Sequence, residues 1–90
     1  MSPAACTVRV VGRVQGVGFR RFVQRCAERA GVSGWVRNLP DGAVECEAEG
    51  TQAALDVFLQ QVRQGPALAR VDDCQVRATL PTGAVGFRIR

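Results

Sequence analysis

Residues 12–20 read Gly12-Arg13-Val14-Gln15-Gly16-Val17-Gly18-Phe19-Arg20. A β-like run, Cys6 to Val11, precedes this stretch and a helical pattern follows it directly, so its glycines fall at a turn from strand to helix. Such a bend leaves several main-chain N–H groups in one concavity, and the following helix adds its own free N–H groups and positive dipole end. The stretch therefore predicts an anion site, with phosphate as the expected ligand.

Arg20 and Arg21 fall in the first turn of the predicted helix. Cations are favoured at helix C-termini, so two arginines at this end oppose the helix dipole unless an anion lies between them and the loop. The alternative is that the glycines serve packing alone and the arginines lie in solvent. These residues by themselves leave both interpretations open.

The segments on either side of the loop have clear apolar patterns. Cys6, Val8 and Val10 alternate with more polar neighbours, as in a strand with one buried face. After the loop, apolar residues recur at helical spacing and predict an amphipathic helix that Gly31 ends as a C-cap. They are Phe19, Phe22, Val23, Cys26, Ala27 and Ala30. We interpret the phenylalanines as core residues rather than ligand contacts.

A hairpin is predicted for the middle of the chain. Two strand-like runs, Gly34 to Leu39 and Ala43 to Glu49, flank Pro40-Asp41-Gly42. This tripeptide suits a type I turn closed by a glycine bulge. Closure of the turn at Leu39 then fixes which residues of the two strands face each other.

The predicted register places Asn38 on the apolar side of the hairpin, at the C-terminal end of its strand. Arg37 faces Glu45 and Trp35 faces Glu47 on the opposite side. The residues that share the side of Asn38 are Val36, Val44, Cys46 and Ala48. An asparagine on an apolar face either bonds nearby main chain or has a role in a site.

The second half of the chain predicts another helix. Thr51 is suited to cap its N-terminus, and Gly65-Pro66 to end it. Its buried stripe consists of Leu55, Phe58, Leu59 and Val62.

Two further strands follow. Val71 to Ala78 has the pattern of a fourth strand, in which Asp72-Asp73 is interpreted as an edge or bulge feature, because adjacent strand residues point to opposite faces. A short last strand is expected to turn Phe87 and Ile89 inward, with Arg88 and Arg90 outward.

Composition limits the class of protein. Ninety residues suffice for one two-layer domain, and 47% hydrophobic and 22% charged residues are ordinary for a soluble globular protein. No apolar run has the length of a membrane span and the N-terminus lacks the features of a secretory signal, so we expect a cytoplasmic protein. The net charge of +4 favours small anions without demonstrating nucleic-acid binding.

The four cysteines form no Cys-x-x-Cys pair, and the chain contains no histidine. A zinc site and a histidine nucleophile or general base are therefore poorly supported. The cysteines are Cys6, Cys26, Cys46 and Cys74, and we interpret them as small buried hydrophobes. A disulfide between Cys6 and Cys46 stays open because the expected fold places their strands side by side, although cytoplasmic residence argues against it.

The order of elements, β-α-β-β-α-β-β, predicts an α+β sandwich with two helices on one face of an antiparallel sheet. The chain also resembles the acylphosphatase family from about Val8 to Ile89. Residues 12–20 are similar to the family's loop motif, Gly-x-Val-Gln-Gly-Val-x-Phe-Arg. A second family motif corresponds to Gly34-Trp35-Val36-Arg37-Asn38-Leu39-Pro40-Asp41-Gly42-Ala43-Val44-Glu45.

The resemblance implies a ferredoxin-like sandwich with sheet order 4-1-3-2-5. Strands 1 and 2 then run parallel with strand 3 between them, so their C-terminal ends lie roughly 10 Å apart. The loop, Arg20 and Asn38 are therefore expected to converge on one small site.

The resemblance further implies a small free-standing acylphosphatase whose single domain spans residues 1–90. It would hydrolyse acyl phosphates without metal or cofactor, with Arg20 and Asn38 as the catalytic residues: Arg20 binds the phosphoryl group and Asn38 orients the attacking water. The phosphate would be held by Gln15, Gly16, Val17, Gly18, Phe19 and Arg20. The expected partners are an acyl phosphate and inorganic phosphate, with no nucleic acid or membrane, and the protein is expected to be a monomer.

The same residues raise two other possible functions. Small basic ferredoxin-like domains often bind RNA through aromatics on the open sheet face, but here that face of strand 3 carries Glu45, Glu47 and Glu49. Acylphosphatase-like domains also occur as carbamoyl-phosphate-handling or regulatory modules in larger proteins that mature metalloenzymes. A chain that starts at Met1 and ends just after the last strand favours the free-standing enzyme.

Overall fold

The computed structural model describes residues 3–90, in which strands and helices follow the predicted order. Their bounds are β1 (Ala4–Arg13), α1 (Phe19–Ala30), β2 (Ser33–Asn38), β3 (Val44–Gly50), α2 (Gln52–Gln64), β4 (Arg70–Thr79) and β5 (Phe87–Ile89). The sheet order is β4-β1-β3-β2-β5, which confirms the expected ferredoxin-like arrangement. β1 and β2 run parallel on either side of β3, and both end at the same edge of the sheet.

The core lies between the sheet and the two helices. Alternation along β1 buries Cys6, Val8 and Val10, as predicted. α1 packs on β2 and β5, whereas α2 packs on β1, β3 and β4. The predicted stripe of α2 is fully buried: Leu55, Phe58, Leu59 and Val62. Within residues 3–90, neither helix is long and apolar enough to cross a membrane.

The helix ends are those that the sequence predicts. Gly31 takes a left-handed conformation with φ +77° after α1, and its N–H donates to the carbonyl oxygen of Ala27. Thr51 Oγ1 accepts a hydrogen bond from the Ala54 N–H at 3.1 Å. A side-chain cap of this kind is worth about 1 kcal/mol, and it fixes the point where β3 gives way to α2.

The β2–β3 hairpin has the predicted register. Arg37 pairs with Glu45 and Asn38 with Val44. Arg37 Nη2 lies 2.7 Å from Glu45 Oε1, so the ion pair follows from the pairing. Gly42 has φ +96°, and its N–H donates to the Leu39 oxygen at 3.1 Å, in agreement with a turn closed by a glycine. Asn38 is thereby held on the helix side of the sheet, at the end of β2.

β4 is an edge strand with a bulge. The pairing of β1 with β4 shifts between Val11 and Gly12, and Asp72 is left without a partner across the ladder. The interpretation of Asp72-Asp73 as a bulge feature is confirmed. β1 extends beyond the predicted Cys6–Val11 because β3 and β4 pair with it on both sides, including at Ala5.

β5 runs parallel to β2, whereas the other strand pairs are antiparallel. Residues 80–86 carry the chain from one edge of the sheet to the other. Glu49 anchors this segment, since its carboxylate accepts hydrogen bonds from the N–H groups of Thr82 at 2.7 Å and Gly83 at 2.9 Å. The Thr82 N–H is the main reason why the pKa of Glu49 lies below its ordinary value.

All four cysteines are free thiols, so the disulfide left open between Cys6 and Cys46 is not formed. Cys6, Cys26 and Cys46 are buried, and Cys74 is half-buried. Burial raises the pKa of the Cys46 thiol well above its ordinary value, and the neighbouring thiols of Cys6 and Cys74 raise it further. The thiolate is the reactive form of cysteine, and burial disfavours it. These side chains therefore act as apolar packing groups.

Candidate active site

The glycine-rich loop turns the chain from β1 into α1. Gly16 and Gly18 both have φ +75°, a left-handed conformation that L-residues rarely adopt. Gly18 is the N-cap of α1 and supplies no side-chain hydrogen bond to the helix. Because glycine has no side chain, the N–H groups of the first helical turn, which have no partners inside a helix, receive no side-chain cap from this residue. Together with the helix dipole, they make the loop side of α1 attractive to an anion.

A cavity of about 180 Å³ opens beside this loop. It is lined by Val14, Gly16, Gly18, Phe19, Arg20, Arg21, Asn38 and Ile89. The predicted convergence of the loop, Arg20 and Asn38 is therefore present in the structure. Val14 and Phe19 are buried on either side of the loop, so both of its ends are fixed by the core.

Two of the predicted phosphate-binding residues do not line the cavity. Val17 packs against the hydrophobic core. The Gln15 side chain donates hydrogen bonds to the main-chain oxygens of Leu39 and Ala43. The role predicted for both residues used their main-chain N–H groups, and their side chains serve the position of the loop instead.

Arg20 is a half-buried residue that brings its guanidinium to the cavity. Its Nη1 lies 3.4 Å from the main-chain oxygen of Arg90, a long hydrogen bond that leaves most of its donors unused. The ion pairs formed within residues 3–90 are Arg9–Asp41, Arg37–Glu45 and Arg70–Asp72, and none of them involves Arg20. No aspartate or glutamate side chain of residues 3–90 therefore neutralises its charge.

Asn38 brings a buried acceptor to the same cavity. Its Oδ1 is inaccessible to solvent and has no hydrogen-bond partner within residues 3–90, a property shared only by Gln61 Oε1 in α2. A buried polar atom left unsatisfied costs about 1–3 kcal/mol. Gln61 is not among the lining residues, so Asn38 is the member of this pair whose residue borders the cavity.

The lining of the cavity is basic and apolar. Arg20 and Arg21 are its charged residues, and no carboxylate is among those that line it. Residues 3–90 contain no group of three histidine, cysteine, aspartate or glutamate side chains placed to hold a metal ion. The arrangement of main-chain N–H groups, a guanidinium and a side-chain amide suits a small oxyanion with a neighbouring polar molecule.

Sequence reasoning missed the contribution of β5 to the cavity. Ile89 was expected to face inward, and it lies on that side opposite Val36, but it is 38% exposed and forms part of the cavity wall. The alternation of Phe87 and Ile89 with the flanking arginines predicts which face of the sheet Ile89 is on. Only the parallel pairing of β5 with β2 brings it to the end of β2.

The fold and the cavity together define a class of protein, the small ferredoxin-like α+β domains with a glycine-rich loop between the first strand and the first helix. Comparison with known proteins makes the assignment more specific. The family model for acylphosphatases matches residues 6–89. The chain belongs to the acylphosphatase family.

Individual relatives agree over nearly the whole chain. An acylphosphatase of Thermus thermophilus is 50% identical over 80 residues, which cover 89% of this chain and 91% of the relative. The crystal structure of acylphosphatase from Bacillus subtilis has a TM-score of 0.94 at 41% identity and covers 97% of this chain and 98% of that one. Full-length HypF in its phosphate- and nucleotide-bound form has a TM-score of 0.89 at 28% identity, and the match covers 99% of this chain but 12% of HypF.

Proposed function

We propose that this protein is an acylphosphatase that hydrolyses the carboxyl–phosphate bond of acyl phosphates to a carboxylate and inorganic phosphate. The observation that carries the proposal is that Arg20, Asn38 and the glycine-rich loop line one cavity, in a chain of the acylphosphatase family. Similarity to acylphosphatases over about nine-tenths of both chains supports the same activity here.

The loop and Arg20 hold the phosphoryl group in this proposal. Main-chain N–H groups of the loop and of the first turn of α1 donate to its oxygens, and the positive end of α1 favours its negative charge. The guanidinium of Arg20 offers several donors in a planar fork that fits two phosphoryl oxygens at once. Because Arg20 pairs with no aspartate or glutamate side chain within the described chain, its charge is available as negative charge develops on the oxygens in the transition state.

Asn38 orients the attacking water. The Oδ1 atom accepts a hydrogen bond from the water, and the water oxygen attacks phosphorus on the side away from the acyl oxygen. A new P–O bond forms while the bond from phosphorus to the acyl oxygen breaks, and the carboxylate leaves with the electron pair. The proton of the water passes to a phosphate oxygen. The position of Asn38 in the cavity wall supports this role, because it brings a side-chain amide beside the loop and Arg20.

The chemistry needs no strong general acid. A carboxylate is a good leaving group, so a site without histidine can still hydrolyse an acyl phosphate by positioning and electrostatics. We therefore propose that the enzyme needs no metal or cofactor. We also propose that it is a cytoplasmic monomer whose ligands are the acyl phosphate and inorganic phosphate.

The open face of the sheet supports a small-molecule substrate over RNA. Glu45 and Glu47 alternate with residues buried on the helix side, so β3 presents carboxylates on this face where RNA-binding sheets present aromatic and basic residues. Trp35 lies on the same face, but two guanidiniums already stack on its ring, with Cζ of Arg90 at 4.6 Å and of Arg37 at 5.1 Å from the centroid.

The test is hydrolysis of benzoyl phosphate by the purified protein, with EDTA present and with Asn38→Ala measured in parallel. We expect rapid turnover that EDTA does not reduce and that falls by on the order of 100-fold in the variant. A folded wild-type protein that does not hydrolyse benzoyl phosphate would contradict the proposal and leave an anion-binding module, to be assayed with carbamoyl phosphate.

A further inference from the structure

The side chain of Gln15 links the loop to the β2–β3 hairpin. Its Nε2 donates two hydrogen bonds, to the main-chain oxygen of Leu39 at 2.8 Å and to that of Ala43 at 2.9 Å. Both distances are those of good N–H···O hydrogen bonds. The bonds span 24 and 28 residues of sequence, and the side chain is half-buried, so the link is shielded in part from competing water.

The two acceptors are the closing pair of the hairpin turn. The Leu39 N–H donates to the Ala43 oxygen at 2.8 Å, and the Gly42 N–H donates to the Leu39 oxygen at 3.1 Å. A carbonyl oxygen has two lone pairs, so Gln15 takes the second acceptor position on each. Only the NH₂ end of an amide can serve two carbonyl oxygens, and this fixes the orientation of the Gln15 side chain.

These hydrogen bonds connect two walls of the cavity. Gln15 directly precedes Gly16, and Leu39 directly follows Asn38, while Gly16 and Asn38 both line the cavity. β3 lies between β1 and β2, so no strand ladder joins the loop to the end of β2. Within residues 3–90, the side-chain hydrogen bonds between this loop and the hairpin turn come from Gln15.

We propose that Gln15 is a positioning residue that sets the distance between the phosphate-binding loop and Asn38. This role rests on the proposed function, since the loop would hold the phosphoryl group and Asn38 the attacking water. The reacting atoms must come within about 3–3.5 Å of each other, and a misplacement of 1 Å can cost about 100-fold in rate. The rate therefore depends on the distance between the two walls, which neither wall sets by itself.

The role predicts a particular split between binding and turnover. Phosphate is held by the loop and Arg20, which remain in place when the Gln15 side chain loses its donors. The water is held by Asn38, whose position relative to the phosphoryl group depends on the link. Loss of the link should therefore lower kcat much more than phosphate affinity. General damage to the fold would instead lower kcat, phosphate affinity and stability together.

The test compares wild type with Gln15→Met, which keeps the length of the side chain and removes both donors. We expect kcat for benzoyl phosphate to fall by about 10–100-fold. The dissociation constant of inorganic phosphate, measured by calorimetry, should change by less than about threefold, because the loop still forms. Gln15→Glu is nearly isosteric, replaces the donors by acceptors and serves as the second variant where Gln15→Met does not fold.

Gln24→Met is the matched control. Gln24 is also half-buried, and its Nε2 donates to the main-chain oxygen of Phe87 at 3.2 Å, but it does not line the cavity. This variant loses the same kind of hydrogen bond at a distance from the loop, and its kcat should stay within about threefold of wild type. In an Asn38→Ala background, Gln15→Met should lower kcat by less than about twofold, because the water that it helps to place is no longer held.

The outcomes separate this role from the proposed function. A wild-type protein without benzoyl phosphate hydrolysis would contradict the proposed function before any variant is made. With an active wild type, the role of Gln15 is wrong if kcat is unchanged in Gln15→Met, or if Gln24→Met loses as much. Full additivity of Gln15→Met with Asn38→Ala would equally overturn it, since Gln15 would then act independently of Asn38.

Discussion

Arg20 and Asn38 line one cavity although Arg20 lies in the first turn of α1 and Asn38 is the last residue of β2. They meet because β1 and β2 run parallel on either side of β3 and end at the same edge of the sheet. One offers a cation and the other a buried acceptor without a protein partner. Substitutions at the two positions should therefore have different effects on binding, turnover and stability.

Asn38→Ala should separate activity from stability. We expect kcat to fall by on the order of 100-fold while phosphate affinity stays within about threefold, because the loop is intact. Asn38 Oδ1 makes no hydrogen bond within residues 3–90, so its removal should leave the free energy of unfolding unchanged or raise it by about 1 kcal/mol. Urea denaturation and benzoyl phosphate kinetics on one preparation measure both.

Arg37→Ala is the control for this variant. Arg37 neighbours Asn38 in β2 but faces the other side of the sheet, where it pairs with Glu45. An exposed ion pair contributes at most about 1 kcal/mol, and kcat should be unaffected. Wild-type turnover in Asn38→Ala, or an equal loss in Arg37→Ala, would refute the water-orienting role.

Arg20→Lys should fail to preserve activity although it keeps the positive charge. An ammonium is a point charge and cannot donate to two phosphoryl oxygens in the fixed geometry of a guanidinium. We expect kcat/KM to fall by about 100-fold or more, with weaker phosphate binding as well. Arg25→Lys, at an exposed position further along α1, should retain wild-type kinetics. Steady-state kinetics and phosphate calorimetry on both variants decide whether the fork itself is needed.

Much of this structure can be predicted from residues that are close together in the sequence. The Pro40-Asp41-Gly42 turn fixed the hairpin register, and the register placed Asn38 on the helix side of β2. Thr51 and Gly31 marked helix ends because their capping depends only on neighbouring residues.

Other parts of the site depend on contacts between distant segments. Apolar periodicity gives the face of a strand but not its neighbours, so the sheet order came from the family resemblance. The parallel pairing that brings Ile89 to the cavity and the hydrogen bonds of Gln15 to Leu39 and Ala43 lie outside any local pattern. Nor could a sequence reveal that Asn38 Oδ1 has no partner, since this depends on every group packed around it.

Gly18→Ala should weaken phosphate binding through backbone strain. Gly18 has φ +75° and an added Cβ would meet no atom within 4 Å, so the cost is conformational rather than steric. We expect the loop of the variant to shift and so relieve about 1.4 kcal/mol of strain. Phosphate binding must then restore the left-handed conformation, which lowers the affinity about tenfold. Calorimetry with inorganic phosphate measures this loss directly.

Gly31→Ala provides the comparison at the other end of the same helix. Gly31 has φ +77° and equally open surroundings, so Gly31→Ala should lower the free energy of unfolding by about 1–2 kcal/mol. Phosphate affinity should fall in Gly18→Ala alone. Equal affinities in the two variants would show that the left-handed conformation at Gly18 is not required for binding.

Asp41 should make the stability of the hairpin depend on acid pH. Its carboxylate accepts a hydrogen bond from the Ala43 N–H at 3.0 Å and pairs with Arg9 Nη2 at 2.6 Å. The Ala43 N–H first, and then Arg9, hold the pKa of Asp41 below its ordinary value. Because the folded-state pKa is depressed, the carboxylate stabilises the fold above the pKa of the unfolded state, and this contribution is lost as the pH falls through the folded-state pKa.

The comparison of wild type with Asp41→Asn isolates this contribution. The wild-type advantage in free energy of unfolding should be constant near neutral pH and should shrink below about pH 4, where the unfolded-state carboxyl begins to take up its proton. In an NMR titration, Arg9→Gln should move the pKa of Asp41 only part of the way back toward its ordinary value, because the larger cause, the Ala43 N–H, remains. A stability difference between wild type and Asp41→Asn that stays flat from neutral pH to pH 2 would rule out a stabilising carboxylate at this turn.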